Sequence, residues 1–268
     1  MSDHRASKPS PLPVFRAVTY ADIAICLRRG WADFRRAPRL ALFFGGVYTV
    51  GGIAIFWLLS AYRQPLMILP IAVGFPLVGP FLAAGTYEVS RRLHTGEPMD
   101  MPGILGFIIR QSRREFAWMA FVVLFVFWIW MYQARILIAL FLDMQAFGSV
   151  GALAQAVFAT PEGLMMTAIG TVTGGVLAAI LFASTVIAMP LLVERNIDVA
   201  TALIASWKTV LASPGPMALW GAVIGGVTVL SMIPFFMGLL VTFPVMGFAT
   251  WHLFSMITGA TRHSHRSL

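Results

Sequence analysis

The stretch GPFLAAGTYEVSRRLHTGEP, residues 79–98, gathers the residue types that most often carry chemistry. Its apolar run is followed within a few positions by Glu88, Arg91, Arg92 and His94. A carboxylate near an imidazole suits acid–base catalysis, whereas two adjacent arginines suit a phosphate or a lipid headgroup. The third interpretation is the end of a helix that leaves a membrane, on which Glu88 pairs with the arginines three and four residues later.

Four further ionisable side chains lie in or beside apolar runs, where such groups often mark functional sites. Arg135 lies near the outer end of its run. It either reaches the headgroups and pairs with Asp143, or it serves a buried ion pathway or subunit contact. Glu162 follows FATP, and its carboxylate complements the dipole of a first helical turn. His252 in FATWHLF is predicted to be a hydrogen-bonding residue at the membrane interface.

The sequence lacks the motifs of common enzymes and metal centres. It has no Walker loop and no HExxH, GxSxG or CxxC pattern. Its single cysteine, Cys26, excludes an intrachain disulfide and a cysteine metal cage. A haem bound by His252 would need a second histidine at similar depth, and the others lie in segments predicted to be cytoplasmic (His4, His94, His263 and His265). We therefore expect no catalytic residue, no metal site, no cofactor and no enzyme activity.

The elements that must position these residues are membrane helices. Hydrophobic residues make up 59% of the 268 positions and charged residues only 11%, whereas soluble domains carry about 25% charged residues. One globular core cannot hide so many apolar side chains, so the surrounding solvent must be lipid. The net charge of +8 does not indicate nucleic acid, because the charges lie beside the apolar runs, at the level of anionic headgroups.

Six apolar runs are long enough to cross about 30 Å of hydrocarbon as helices. The fifth and sixth are nearly continuous, and we divide them at SMIPFFMG because Pro234 disfavours helix at the residue before it. The segment 143–161 is either a re-entrant piece or a lid on the outer face. We expect a disordered cytoplasmic tail over 1–18, a transmembrane domain over 19–258 and a second cytoplasmic tail over 259–268. The predicted spans are 40–60, 66–87, 116–138, 163–189, 216–233 and 234–257.

The distribution of Lys and Arg predicts the orientation of the spans. Of the 19 basic residues, 17 lie before the first span, between the second and third, between the fourth and fifth, or after the sixth. Basic loops stay on the cytoplasmic side of an inner membrane, so both termini are predicted to be cytoplasmic. Arginines at the ends of spans on this side are predicted to contact lipid headgroups (Arg35, Arg36, Arg91 and Arg92).

An amphipathic segment precedes each outward-going span and has an aspartate near its start: Asp22, Asp100 or Asp198. Acidic residues are favoured in first helical turns, and Trp and Arg on such helices favour the membrane interface. The second and sixth spans also share the spacing of their prolines and glycines. The prediction is an all-α membrane protein of three hairpins, each introduced by an interfacial helix and together forming an internal repeat.

Four stretches resemble a bacterial family of predicted integral membrane proteins, domain of unknown function 2189. They are GWADFRRAPRLALFFGGVY, GFPLVGPFLAAGTYEVSRRLHTGEP, MPLLVERNIDVATALIASWKTVLASPGPMALW and FPVMGFATWHLF. The resemblance implies a six-helix protein of the bacterial inner membrane with no settled activity. Automatic labels on some relatives hint at association with cytochrome c oxidase. One departure is Phe248, where the family pattern favours histidine, and it argues against a site built on paired histidines there.

Two functions from different classes fit these features. The first is a non-enzymatic accessory or assembly protein that acts by helix contacts with another membrane complex, such as a respiratory one, or with a second copy of itself. It is favoured by the scarcity of ionisable groups within the spans and the abundance of glycine and aromatic residues. The second is a small permease or lipid-handling protein, favoured by the repeat and by proline-broken spans such as ILPIAVGFPLVGP.

Overall fold

The computed structural model describes residues 13–62, 65–111, 117–142 and 150–259. Every regular element within those ranges is a helix. In chain order the helices are α1 (Tyr20–Arg36), α2 (Pro38–Tyr62), α3 (Pro65–Thr95), α4 (Met101–Gln111), α5 (Ala117–Phe141), α6 (Val150–Ala159), α7 (Pro161–Thr185), α8 (Ala188–Glu194), α9 (Val199–Ala212), α10 (Pro214–Met232) and α11 (Leu239–Thr258).

Within the described residues, five helical stretches are long and apolar enough to cross a membrane. They are Pro38–Trp57, Ala117–Phe141, Pro161–Glu194, Pro214–Met232 and Leu239–Thr258. They match five of the six predicted spans and confirm a helical protein with several candidate spans. The remaining predicted span, 66–87, falls within α3 but is not one of the five, so the six-helix count stays a prediction.

The predicted break between the last two spans is confirmed. α10 ends at Met232 and α11 begins at Leu239, with Pro234 between them. Phe235 and Phe236 have φ angles of 50° and 63°, a left-handed conformation that ends a right-handed helix and is uncommon for aromatic residues. The second helix therefore begins five residues later than the sequence suggests.

Aspartates begin all three amphipathic helices, as predicted. The Thr19 hydroxyl and the Asp22 carboxylate form a capping box at the start of α1. Asp100 accepts a 2.8 Å hydrogen bond from the backbone N–H of Gly103 in α4, and Asp198 accepts one of 2.8 Å from the N–H of Thr201 in α9. These bonds satisfy amide groups that have no partner within the helix.

The chain divides into two compact units, residues 1–120 with 183–268 and residues 121–182. In the first unit α11 packs against α1, α2 and α3. Gly30 permits the contact of α1 with α11, because a Cβ atom there would lie 2.7 Å from the backbone nitrogen of Ala249. Trp220, Phe44 and Phe248 are among the largest fully buried side chains of this unit.

The second unit contains most of α5 and α7, with α6 between them. The side-chain amide of Gln133 on α5 donates a hydrogen bond to the Thr173 hydroxyl on α7. The Thr160 hydroxyl links α6 to α7, since it donates to the Ala156 carbonyl at 2.6 Å and accepts from the N–H of Gly163 at 3.0 Å. Of the segment 143–161, residues 150–159 are helical as α6, whereas residues 143–149 lie outside the described ranges.

Candidate functional site at the ends of three helices

Asp33, in the last turn of α1, is the centre of a polar cluster within the first unit. Its Oδ2 atom lies 2.7 Å from Nε2 of His252 on α11 and accepts a 2.6 Å hydrogen bond from the Ser90 hydroxyl on α3. Its Oδ1 atom lies 3.2 Å from Nε2 of His94, also on α3. The side chains of Asp33 and His252 are 1% and 3% exposed, whereas that of His94 is 34% exposed.

The backbone explains why these residues meet. Gly30 lets α1 approach Ala249 on α11, and one helical turn further along each helix brings Asp33 to His252. Ser90 and His94 are four residues apart in α3 and therefore lie on the same face of that helix. Two helices, α3 and α11, thus contribute three side chains to the single carboxylate on α1.

These neighbours determine the pKa and the charge of the Asp33 carboxyl. Burial alone would raise the pKa of its carboxyl, but the hydrogen bonds from His252, His94 and Ser90 outweigh burial and hold that pKa well below its usual range. Its only partners capable of positive charge, among the described residues, are the two imidazoles. The carboxylate is therefore ionised, and its neighbours are two imidazoles and a hydroxyl rather than arginine or lysine.

The same three side chains are able to hold a metal ion. One ligand atom from each of Asp33, His94 and His252 lies within 4.8 Å of the other two. The two imidazole rings are 4.9 Å apart between centroids and nearly perpendicular, at 83°. Imidazole nitrogen and carboxylate oxygen are common ligands of zinc and related metals.

A second cluster, on the same turns of α3, has Glu88 at its centre. Its buried carboxylate accepts hydrogen bonds of 2.7 and 2.9 Å from Arg91 and one of 2.7 Å from Arg92. Arg91 also pairs with Glu97 at 2.6 Å, and Arg92 pairs with Asp100 at 3.2 Å. The local pairing predicted for Glu88 is confirmed. Three carboxylates surround two guanidinium groups, so the cluster as a whole does not resemble a phosphate site.

The other residues singled out in the sequence do not join either cluster. Arg35 and Arg36 are exposed in the last turn of α1. Arg135 is exposed on α5, and Glu162 is exposed in the first turn of α7, as its helix-start assignment predicts. The proposed partner of Arg135, Asp143, lies outside the described residues, so that pairing stays a prediction.

Sequence reasoning missed Asp33 and Ser90 and placed His94 only in a cytoplasmic segment. The contacts of Asp33 span 57 positions to Ser90, 61 to His94 and 219 to His252. No spacing pattern connects residues so far apart in sequence. The available signal was an acidic residue inside the basic stretch GWADFRRAP together with histidines near the ends of two apolar runs.

Comparison with known proteins supports the resemblance found in the sequence. The model of the family described as "Predicted integral membrane protein (DUF2189)" matches residues 66–194, just under half of the chain. This range contains Ser90, His94 and the Glu88 cluster, but neither Asp33 nor His252. No curated protein and no solved structure matches the chain. The family match and the five candidate spans identify a multi-pass integral membrane protein.

Proposed function

We propose that this chain is a non-enzymatic accessory or assembly protein of a bacterial inner membrane, with both termini in the cytoplasm. It acts by helix contacts with another membrane complex, such as a respiratory one. The observation that carries the proposal is the difference between two of its apolar helices. In an 18-residue window of Ala117–Phe141 only 6% is buried within the protein, compared with 61% of such a window in Leu239–Thr258. Most side chains of α5 in this window are therefore at least partly accessible to lipid or to a partner.

The exposed surface of α5 has the form of a helix-contact stripe. A groove of about 410 Å³ is lined almost entirely by apolar side chains at spacings of three and four residues: Phe125, Trp128, Ile129, Tyr132, Gln133, Ile136 and Leu137. Apolar residues at this spacing form the seam by which helices interlock. Large aromatic side chains also supply much of the energy of protein interfaces. Gln133 and Leu137 border the groove on the side of α7, where Gln133 bonds to Thr173. We define the other five residues as the α5 stripe and assign it to a partner's transmembrane helix.

The proposal is tested in native membranes. After gentle solubilisation, intact complexes are separated and the proteins that migrate with this chain are identified by mass spectrometry. Stoichiometric migration with a larger complex is the expected result. Trp128→Ala on the α5 stripe should release the partner. Trp130→Ala is the matched control because it removes a tryptophan that is also exposed but lies off the stripe. Equal effects of the two substitutions, or transport of a solute by the purified protein in liposomes, would contradict the proposal.

The alternative, a small permease or lipid-handling protein, rests on a different feature. A groove of about 300 Å³ lies between residues 13–17 and α9, with Arg16 and Lys208 among apolar lining residues. Such a lining suits an acyl chain with an anionic headgroup. A solute path between α3 and α11 is less well supported, because Thr86 lies directly against Gly247 and the Tyr87 and Trp251 rings stack 6.4 Å apart.

Retention of phosphatidylglycerol by the purified protein distinguishes the alternative. If the groove binds lipid, Lys208→Gln lowers the number of lipids that stay bound in native mass spectrometry. The control is Glu162→Gln, which removes an exposed charge elsewhere in the chain and takes no positive charge from the protein. Equal lipid retention in both variants would leave the accessory function as the better proposal.

A further inference from the structure

We propose that Asp33, His94 and His252 together bind one divalent transition-metal ion of the Zn²⁺ class. This inference goes beyond the accessory function and does not depend on it. The ion would join the ends of α1, α3 and α11 in the first unit.

The donor set determines the class of metal. Two imidazole nitrogens and one carboxylate oxygen form the ligand set of many three-ligand zinc sites and of other first-row metal sites. Ca²⁺ and Mg²⁺ are disfavoured because they prefer oxygen ligands alone. Three protein ligands leave a further coordination position for water or another small ligand.

The distances from the carboxylate to the two imidazoles are close to those of a metal site. Zinc bonds of about 2.0–2.2 Å in a tetrahedral site place neighbouring ligand atoms about 3.3 Å apart. Nε2 of His94 lies 3.2 and 3.3 Å from the two carboxylate oxygens of Asp33. Nε2 of His252 lies 2.7 Å from Oδ2, so an ion would require this pair to separate by about half an ångström.

The charge of the cluster also favours a cation. Burying an ionised carboxylate is costly unless it is paired or coordinates a metal. Asp33 has no arginine or lysine partner among the described residues, and its partners are a hydroxyl and two imidazoles. Imidazole is able to bind a metal in its neutral form. A divalent ion would therefore neutralise Asp33 without requiring either histidine to be protonated.

The site has an opening at one ligand and an outer shell. His94 is the one partly exposed ligand, in the last turn of α3, whereas the other two are buried. An ion would reach the site past His94. The Ser90 hydroxyl, 2.6 Å from Oδ2 of Asp33, would orient the carboxylate, as hydrogen-bond partners of metal ligands commonly do.

The competing explanation is a hydrogen-bonded network in which protonated histidine balances Asp33 and no metal binds. Metal binding by purified protein separates the two. His4, His263 and His265 are first replaced by alanine, so that His94 and His252 are the only histidines of the five in the chain. The protein is purified with an affinity tag that lacks histidine, treated with EDTA and titrated with Co²⁺, whose visible absorption reports its ligands.

The expected result is one Co²⁺ per chain, displaced by one Zn²⁺, with a rise in the unfolding temperature when zinc is added. His94→Gln should weaken zinc binding by at least about 100-fold, the upper end of what loss of an outer-shell partner costs, and Ser90→Ala by about 10-fold. Asp198→Asn is the control, because it removes an exposed aspartate that starts α9 outside the site, and it should bind zinc normally.

Two results would overturn the inference. One is a stoichiometry near zero in the protein that retains only His94 and His252. The other is unchanged zinc affinity in His94→Gln. If that variant does not fold, the protein with both histidines still decides the question, because a network without metal predicts the same unfolding temperature with zinc and with EDTA.

Discussion

Nε2 of His252 lies 2.7 Å from Oδ2 of Asp33, although 219 positions separate the two residues. This contact fastens the end of α1 to α11, near the two ends of the described chain. Gly30 makes it sterically feasible, and Ser90 and His94 extend it to α3. The first unit is therefore held at this end by polar contacts as well as by apolar packing.

Two neighbouring glycines of α2 provide a test of the packing against α11. A Cβ atom at Gly45 would lie 3.0 Å from Cα of Leu240 and closer still to its carbonyl oxygen, whereas one at Gly46 would lie 3.7 Å from the Leu240 Cδ1 atom. Gly45→Ala should lower the free energy of unfolding by about 1–3 kcal/mol through overpacking. Gly46→Ala should raise it by up to about 1 kcal/mol through helix propensity.

Thermal unfolding of the two variants in the same detergent is the measurement. The comparison controls for the substitution itself, since both change glycine to alanine in one helix. Equal unfolding temperatures would show that α2 does not approach α11 as closely as the structure indicates.

The Glu88 cluster predicts a large difference between two glutamates. Glu88→Gln leaves two partly buried guanidinium groups without their central carboxylate, and loss of one member of a buried ion pair costs about 3–5 kcal/mol. Glu97→Gln removes a more exposed partner of Arg91 and should cost less than about 1 kcal/mol. The free energies of unfolding from denaturant titration check the order, and a larger loss for Glu97→Gln would refute it.

The ion pair of Asp22 and Arg16 predicts a loss of stability in acid. Hydrogen bonds of 2.8 Å from Arg16 lower the pKa of the Asp22 carboxyl to about 2, against the opposing effect of burial. The unfolded chain has an aspartate pKa of about 3.9. Between those two values the unfolded state binds more protons, so the free energy of unfolding should fall as the pH is lowered from about 4 to about 2.

Unfolding temperatures recorded across that range test the assignment. Asp22→Asn should lose less stability than the unchanged protein between pH 4 and pH 2, because it removes the titrating group. Arg16→Gln should likewise lose less stability over this range, because the pKa of Asp22 in the folded protein returns towards its unfolded value of about 3.9. A pH profile identical in all three proteins would exclude a contribution from this pair.

The four arginines predicted to contact lipid headgroups should differ in how strongly they bind them. Arg35 and Arg36 are exposed and have no ion-pair partner among the described residues, whereas Arg91 and Arg92 are engaged by carboxylates. We expect Arg35→Gln with Arg36→Gln to weaken the retention of phosphatidylglycerol by the detergent-purified protein by about 1 kcal/mol for each charge. The double variant Arg91→Gln with Arg92→Gln should weaken the interaction with phosphatidylglycerol less.

Salt provides the control for the lipid measurement. The difference between the variants should disappear at high ionic strength, because exposed charges are screened. A larger loss for the 91 and 92 variant at low salt would restore those arginines as the main headgroup contacts.

The predicted orientation is tested with single cysteines. The native Cys26 is buried, and burial raises the pKa of its thiol to about 12, so it should react slowly and is replaced by alanine. In intact cells a membrane-impermeant maleimide should label Gln64→Cys, between the first two predicted spans, but not Ser10→Cys or Ser264→Cys. Labelling of either terminal cysteine in intact cells, with Gln64→Cys protected, would reverse the orientation.

Local features of the sequence were sufficient to predict where most of the helices lie. Apolar runs of membrane-spanning length predicted five of the candidate spans, and Pro234 located the break before α11. Asp22, Asp100 and Asp198 located the starts of three amphipathic helices. The pairing of Glu88 with Arg91 and Arg92 was also foreseeable. Each of these features depends on residues that are close together in the sequence. They can therefore be predicted without knowledge of the tertiary structure.

The tertiary structure alone decided which distant residues meet. His252 was recognised as a hydrogen-bonding residue, but its partner Asp33 belongs to a helix at the other end of the sequence. His94 joins them because Ser90 and His94 share the face of α3 that meets α1. The approach of helices depends on where a glycine such as Gly30 removes a side chain from a crossing point. The crossing point depends on how the surfaces of two helices fit together. Neither the composition of the chain nor the spacing of residues along it shows which surfaces will meet.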